Sequence, residues 1–152
     1  MKKNFFDKDA YQSLTKRFES INLESKAKWG TMNANEMICH CADAIREALG
    51  TRTTKDKSSW FGRNIFKWAA LLLPSYPKNT RTVAAYDPKK KGTMPNGFSH
   101  DRDVLLKLMS NLYQFNGAEL PGKHPVMGVL SHKHWGTLMY KHFNHHLTQF
   151  GA

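Results

Sequence analysis

The segment SHKHWGTLMYKHFNHHLTQFG, residues 131–151, decides the fold of this chain. Its large apolar residues recur at three- and four-residue steps, which predicts one long amphipathic helix beginning at Ser131. On a helix that advances about 100° per residue, His142 and His146 lie within about 20° of Trp135, at the centre of the apolar face. The last helix therefore points two imidazole rings, one turn apart, towards the core.

Three further long helices are predicted upstream of this segment. The first covers residues 7–20. The second begins at Asn33, an N-cap with Glu36 completing a capping box, and ends at Leu49. The third is capped by Ser99, and its buried face is formed by Val104, Leu105, Leu108, Met109 and Leu112.

The middle of the chain differs from the rest. Residues 59–73 predict a shorter helix rich in aromatic residues, and a connection rich in proline and lysine follows as far as Gly97. Residues 81–86 are the one candidate strand. The expected class is therefore all-α: a four-helix bundle with an extra short helix and a long loop in its middle, forming a single domain over residues 1–152.

Positive charge is concentrated in that middle segment. The chain has a formal net charge of +11. Residues 51–99 hold ten basic residues (Arg52, Lys55, Lys57, Arg63, Lys67, Lys78, Arg81, Lys89, Lys90 and Lys91) against Asp56 and Asp87. Such an excess favours anionic partners, from nucleic acid to a small carboxylate-bearing molecule, without choosing among them. A merely solvated basic surface explains it equally well.

The cysteines and the termini indicate the compartment. Cys39 and Cys41 are two residues apart on one predicted helix, so they point in different directions and cannot form a disulfide. No signal peptide is recognisable, and the longest apolar run is too short for a transmembrane helix. We therefore expect a soluble cytoplasmic protein without a transmembrane segment.

The inward histidines predict a metal site. On the second helix His40 flanks the apolar face, so it can join His142 and His146 in the core. Buried imidazoles need partners for both ring nitrogens, and no Asp or Glu lies on the same face of the last helix. A divalent cation shared by the rings meets that need. Hydrogen bonds to water, Gln149 or neighbouring backbone are the alternative.

Two stretches of the sequence resemble a known superfamily. They are HPVMG with KHFNHHLTQFG, residues 124–128 and 141–151, and KWGTMN followed by EMICH, residues 28–33 and 36–40. They are similar to the DinB/YfiT-like superfamily of predicted metalloenzymes, closest to a bacterial branch that ends in His-His-x-x-Gln-Phe-Gly. The resemblance implies a four-helix bundle with three histidine ligands, which here are His40, His142 and His146. It does not extend to residues 51–99.

Three neutral imidazoles leave a divalent ion with at least one open position, as in catalytic sites. Nitrogen ligands suit zinc or nickel. Such an ion makes a nucleophile of bound water or of a thiol. Because relatives implied by the resemblance include transferases and isomerases that use low-molecular-weight thiols, the leading hypothesis is a metal-dependent thiol (S-)transferase acting on a small molecule, with a metal-dependent hydrolase as an alternative. No glutamate adjoins a ligand histidine, which argues against a zincin-type peptidase.

Four other side chains are weaker candidates. Cys41 is a ligand or nucleophile, or more commonly a buried filler. Gln149 orients a ligand or substrate, or completes the helix end. His145 belongs to the outer shell of the site or to the surface. His124 caps the pocket or forms a simple turn.

A non-enzymatic binding module is the second class of function. The aromatic helix, with Trp60, Phe61, Phe66 and Trp68 beside Arg63 and Lys67, fits an anionic membrane or single-stranded nucleic acid. No nucleic-acid motif supports the latter, and packing of the aromatic residues on the bundle is the simpler expectation. A homodimer is also predicted.

Overall fold

A computed structural model describes residues 3–55, 57–79 and 84–152. In this part of the chain the regular structure is helical, without a strand, which confirms the all-α class. The helices are α1 (Lys8–Ser20), α2 (Ala34–Ala48), α3 (Lys67–Leu72), α4 (Phe98–Tyr113) and α5 (His132–Gln149). A π-helical turn, Gly62–Phe66, precedes α3, and a 3-10 turn covers Ala84–Tyr86. None of the described helices has the length and apolar character that crossing a membrane requires.

The four long helices share one core. Helix α2 packs against α4 and α5, and α1 packs against the same two helices. The largest side chains in the core are aromatic and almost fully buried: Phe5, Phe18, Trp135 and Phe143. Because α2 and α5 are neighbours, side chains from the two helices can meet between them.

Local sequence signals place the ends of both helices. The Asn33 side chain accepts from the Glu36 backbone N–H at 2.9 Å, and the Glu36 carboxylate accepts from the Asn33 N–H at 2.8 Å. This capping box is the one predicted, and it begins α2 almost two turns before His40. Ser131 likewise caps α5, accepting from the His134 N–H at 3.4 Å. The capping residues thereby set the register of the histidines on both helices.

Two sequence predictions are wrong and one is only partly tested. Ser99 is not a cap, because α4 already begins at Phe98 and the Asp101 carboxylate accepts from the Asn96 N–H at 2.8 Å instead. The aromatic residues of the middle helix do not pack on the core but are exposed: Trp60, Phe61, Phe66 and Trp68. Of the candidate strand, residues 81–83 lie outside the described residues, and the remainder is the 3-10 turn.

Candidate metal centre

Three histidine side chains meet between α2 and α5. His40 comes from α2, and His142 and His146 come from successive turns of α5. One ring nitrogen from each lies within 4.8 Å of the other two, and the Nε2 atoms of His40 and His142 are 2.7 Å apart. His40 and His146 are buried, and His142 is partly buried. The three residues that the sequence selected therefore form one cluster that could hold a metal ion.

The turn at Ala84–Tyr86 fixes the His40 ring. His40 Nδ1 lies 2.8 Å from the Tyr86 carbonyl oxygen. A carbonyl only accepts hydrogen bonds, so Nδ1 carries the proton and Nε2 keeps its lone pair. That lone pair points at the other two histidines. A backbone carbonyl on the far ring nitrogen is the usual partner of a metal-binding histidine.

A chain of hydrogen bonds fixes His146 in the same way. His146 Nδ1 donates to Gln149 Oε1 at 2.8 Å, and Gln149 Nε2 donates to the Trp29 carbonyl at 2.6 Å. The glutamine thus ties α5 to the segment that precedes α2. Of the two roles considered for Gln149, the structure supports orientation of a histidine. Again the Nε2 lone pair is left for the cluster.

The cluster is electrically neutral near pH 7. Burial lowers the pKa of His40, although the hydrogen bond to the Tyr86 carbonyl partly opposes this. Burial also holds the pKa of His142 and of His146 well below its usual value, and the neighbouring imidazoles lower both further. Neutral imidazoles are the form that binds a metal ion, which would replace the proton shared between His40 Nε2 and His142 Nε2.

The donor set fits a divalent ion after a small adjustment. Two nitrogens bound to a tetrahedral zinc ion at about 2.0–2.1 Å are roughly 3.3 Å apart. The Nε2 atoms of His40 and His142, which are 2.7 Å apart, must therefore separate by about 0.6 Å, within the range of a side-chain rotation. His40 and His146 are already oriented by hydrogen bonds from outside the cluster, so His142 is free to make that adjustment.

A cleft of about 300 Å³ reaches the cluster from the surface. His145, His146 and Gln149 form part of its wall, and so do Lys89, Lys90 and Asp87. Lys89 is held there by the Thr31 carbonyl, 2.7 Å from its Nζ, and lies 3.4 Å from the Glu36 carboxylate. Lys90 pairs with Asp87 at 3.1 Å, so a small molecule entering the cleft would meet His146 together with paired charges.

The structure gives the two weaker candidates Cys41 and His145 different places. Cys41 is fully buried in the core, its thiol 3.8 Å from the Met37 sulfur, and burial raises its pKa well above the usual value. Cys41 therefore fills space in the core and does not belong to the histidine cluster. His145 lines the cleft, with its ring centre 5.1 Å from that of His146, and burial lowers its pKa. It lies in the outer shell of the site.

His124 forms a turn and does not line the described cleft. Its Nδ1 accepts from the backbone N–H groups of Val126 and Met127 at 3.2 and 3.1 Å. Burial lowers the pKa of His124 to about 4. A protonated Nδ1 cannot accept these bonds, so acid should open the turn.

We expect His124→Asn to reduce the acid sensitivity of the fold. The pKa of an unfolded histidine is about 6.5, so the unfolded chain takes up this proton first as the pH falls. The stabilisation is complete above pH 6.5 and is lost towards pH 4, by roughly 3 kcal/mol. An asparagine oxygen can accept the same bonds without titrating. Urea unfolding at several pH values between these limits measures the effect; equal pH dependence in both proteins would contradict it.

Sequence reasoning missed the partners that orient the histidines. The Tyr86 and Trp29 carbonyls act through the backbone, so no side-chain pattern marks them. In the sequence Gly30 appears only as one residue of the KWGTMN stretch. In the structure its backbone takes a φ of +82° directly beside Gln149. A glycine between Trp29 and a capping box is the one signal that pointed to this close approach.

Comparison with known proteins gives a family but no activity. A family model described as "Protein of unknown function (DUF1569)" matches residues 4–152. No curated protein matches the chain, and no solved structure does. The chemistry must therefore be argued from the cluster and its surroundings.

Proposed function

The chain belongs to the DUF1569 family of proteins of unknown function, and we propose that it is a metalloprotein that binds one zinc or nickel ion through His40, His142 and His146. One observation carries this proposal: three neutral imidazoles converge within 4.8 Å, and two of them are oriented from outside by carbonyl oxygens. If the three rings only formed hydrogen bonds with one another, His40 Nδ1 and His146 Nδ1 would not both need a carbonyl partner outside the cluster.

The site is proposed to be open. Three protein ligands leave at least one position of a tetrahedral ion for an external group. Cys41 is not available as a fourth ligand, because its thiol lies in the core against Met37. The cleft beside His146 gives a small molecule access to the remaining position.

The proposed activity is metal-dependent transfer from, or to, a low-molecular-weight thiol. When bound, the ion would lower the pKa of a thiol or water molecule and so supply a nucleophile at neutral pH. The protein contributes the rest: Gln149 orients His146, and neutral His145 in the cleft wall can take up the released proton. Lys89 and Lys90, which pair with Glu36 and Asp87, would exchange these partners for a negatively charged part of the substrate. Hydrolysis by activated water is the second candidate.

We also propose kinship with the DinB/YfiT-like superfamily. The support is the order of the histidines, one on the second long helix and two on the last, together with four long helices around one core. The middle segment would then be an addition specific to this family.

Cobalt spectroscopy tests the site and the thiol together. Co²⁺ added to the untagged apoprotein should give visible absorption bands of four- or five-coordinate cobalt, saturating at about one ion per chain. Adding 2-mercaptoethanol should then produce a sulfur-to-cobalt charge-transfer band in the near ultraviolet. We expect both signals to disappear in His146→Ala.

His134→Ala is the matched control, since His134 lies on the same helix and outside the cluster. Visible bands without a response to thiol would refute the thiol hypothesis and favour hydrolysis. Bands that survive in His146→Ala would refute the site itself.

A further inference from the structure

The segment from Trp60 to Leu73 presents an apolar surface to solvent. Seven of its large side chains are exposed: Trp60, Phe61, Ile65, Phe66, Trp68, Leu72 and Leu73. Trp60 is 72% exposed, Phe61 59% and Leu72 60%. Elsewhere in the described chain, only Leu23, Met94 and Val129 are large, hydrophobic and comparably exposed. Scattered exposed residues are normal, whereas a contiguous apolar patch marks an interaction site.

A few buried residues hold the segment against the protein. They are Gly62, Ala70 and Leu71, while most of the residues between them are exposed. A Cβ on Gly62 would lie 2.3 Å from the Val126 carbonyl oxygen, so the backbone is held against the protein at this point. Helix α3 contacts α5, and Lys141 of α5 donates to the Ala70 carbonyl. The outward apolar face is therefore a fixed feature of the fold.

The segment that carries this face is rich in positive charge. Residues 57–79 contain no Asp or Glu and carry four cations: Lys57, Arg63, Lys67 and Lys78. Lys67 Nζ lies 5.2 Å from the centre of the Trp68 ring, so its charge lies directly beside the exposed aromatic surface. Tryptophan, phenylalanine and leucine flanked by lysine and arginine are typical of segments that lie in the interface of an anionic bilayer.

We propose that residues 57–79 form a membrane-docking face that binds the surface of an anionic lipid bilayer. The apolar side chains would enter the boundary between headgroups and acyl chains, and the flanking cations would contact the headgroups. A second copy of the chain fits less well, because a two-fold contact would place these like charges against each other. The proposal is independent of the metal site, since no histidine ligand belongs to this segment.

Co-sedimentation with vesicles tests the proposal on the full chain. We expect binding to vesicles of equal parts phosphatidylcholine and phosphatidylglycerol, weak binding to phosphatidylcholine alone, and release by salt. The emission of Trp60 and Trp68 should shift to shorter wavelength on binding. Phe61→Ser with Leu72→Ser leaves both tryptophans in place and should weaken binding at least about tenfold.

Leu23→Ser with Met94→Ser is the matched control, because it removes two equally exposed apolar residues outside the face. Lys57→Gln with Lys67→Gln should weaken binding by about fivefold per charge, whereas Lys16→Gln with Lys107→Gln should not. The proposal is overturned by absence of vesicle binding at low salt, or by equal losses in the two apolar double variants. It is also overturned if the apolar face instead mediates dimer formation or binds a single-stranded oligonucleotide in place of vesicles.

Discussion

Replacing His142 by alanine is expected to remove most of the rise in melting temperature that zinc or nickel gives to the apoprotein. An ion that binds only the folded chain stabilises it by about 4 kcal/mol at a thousand-fold excess over its dissociation constant. For a chain of this length that corresponds to a rise of about 8–16 °C. Removing one of three ligands should weaken binding by about a hundredfold or more, so most of this rise should vanish.

The measurement is thermal unfolding followed by circular dichroism, with and without added metal. His142 is the partly buried member of the cluster, so its truncation should leave the apoprotein folded, with unchanged helical signal. His134→Ala should keep the full shift. An equal shift in His142→Ala and wild type would place the stabilising ion elsewhere.

Gly30→Ala is expected to weaken metal binding by about 10–100-fold, although Gly30 is no ligand. Its φ of +82° is one that L-residues rarely adopt, and an added Cβ would lie 2.6 Å from Gln149 Nε2. The glutamine must move, which breaks its bond to the Trp29 carbonyl and releases the His146 ring. Gln149→Ala should weaken binding by a similar factor.

Gly117→Ala separates this effect from general backbone strain. Gly117 has a φ of +87°, but nothing lies within 4 Å of an added Cβ. Both alanine variants should lose about 1–2 kcal/mol of stability from the left-handed backbone. Competition titration with a chromophoric chelator compares their metal affinities. Equal affinities for Gly30→Ala and Gly117→Ala would show that Gln149 does not act on the ion through His146.

The histidine cluster could be predicted because helical periodicity turns the two rings of α5 towards the core, and the superfamily resemblance adds His40 as their partner. The i, i+4 spacing of His142 and His146 at the centre of an apolar face leaves only one direction for them to point. His40 required a second step, since it lies on the flank of its helix and reaches the core only because α2 packs against α5.

The backbone carbonyls that bind His40 and Gln149 could not be predicted from the sequence. Tyr86 reaches His40 from 46 residues away and Trp29 reaches Gln149 from 120 away, in both cases through a carbonyl. Every residue carries the same backbone carbonyl, so the sequence does not indicate which one is used.

The prediction that the aromatic residues of the middle helix pack on the bundle is wrong because apolar periodicity does not always mean burial. In most soluble domains an apolar face is turned to the core. Here Gly62 packs against the Val126 backbone and Ala70 and Leu71 are buried, while the other large side chains of the segment remain outside.

Elemental analysis of the untagged protein, purified without chelators, tests the central claim most directly. We expect about one zinc or nickel ion per chain in the wild type and none retained in His142→Ala, with X-ray absorption at the metal edge showing three imidazole nitrogens. A protein that emerges metal-free, and that fails to take up either ion on addition at neutral pH, would contradict it.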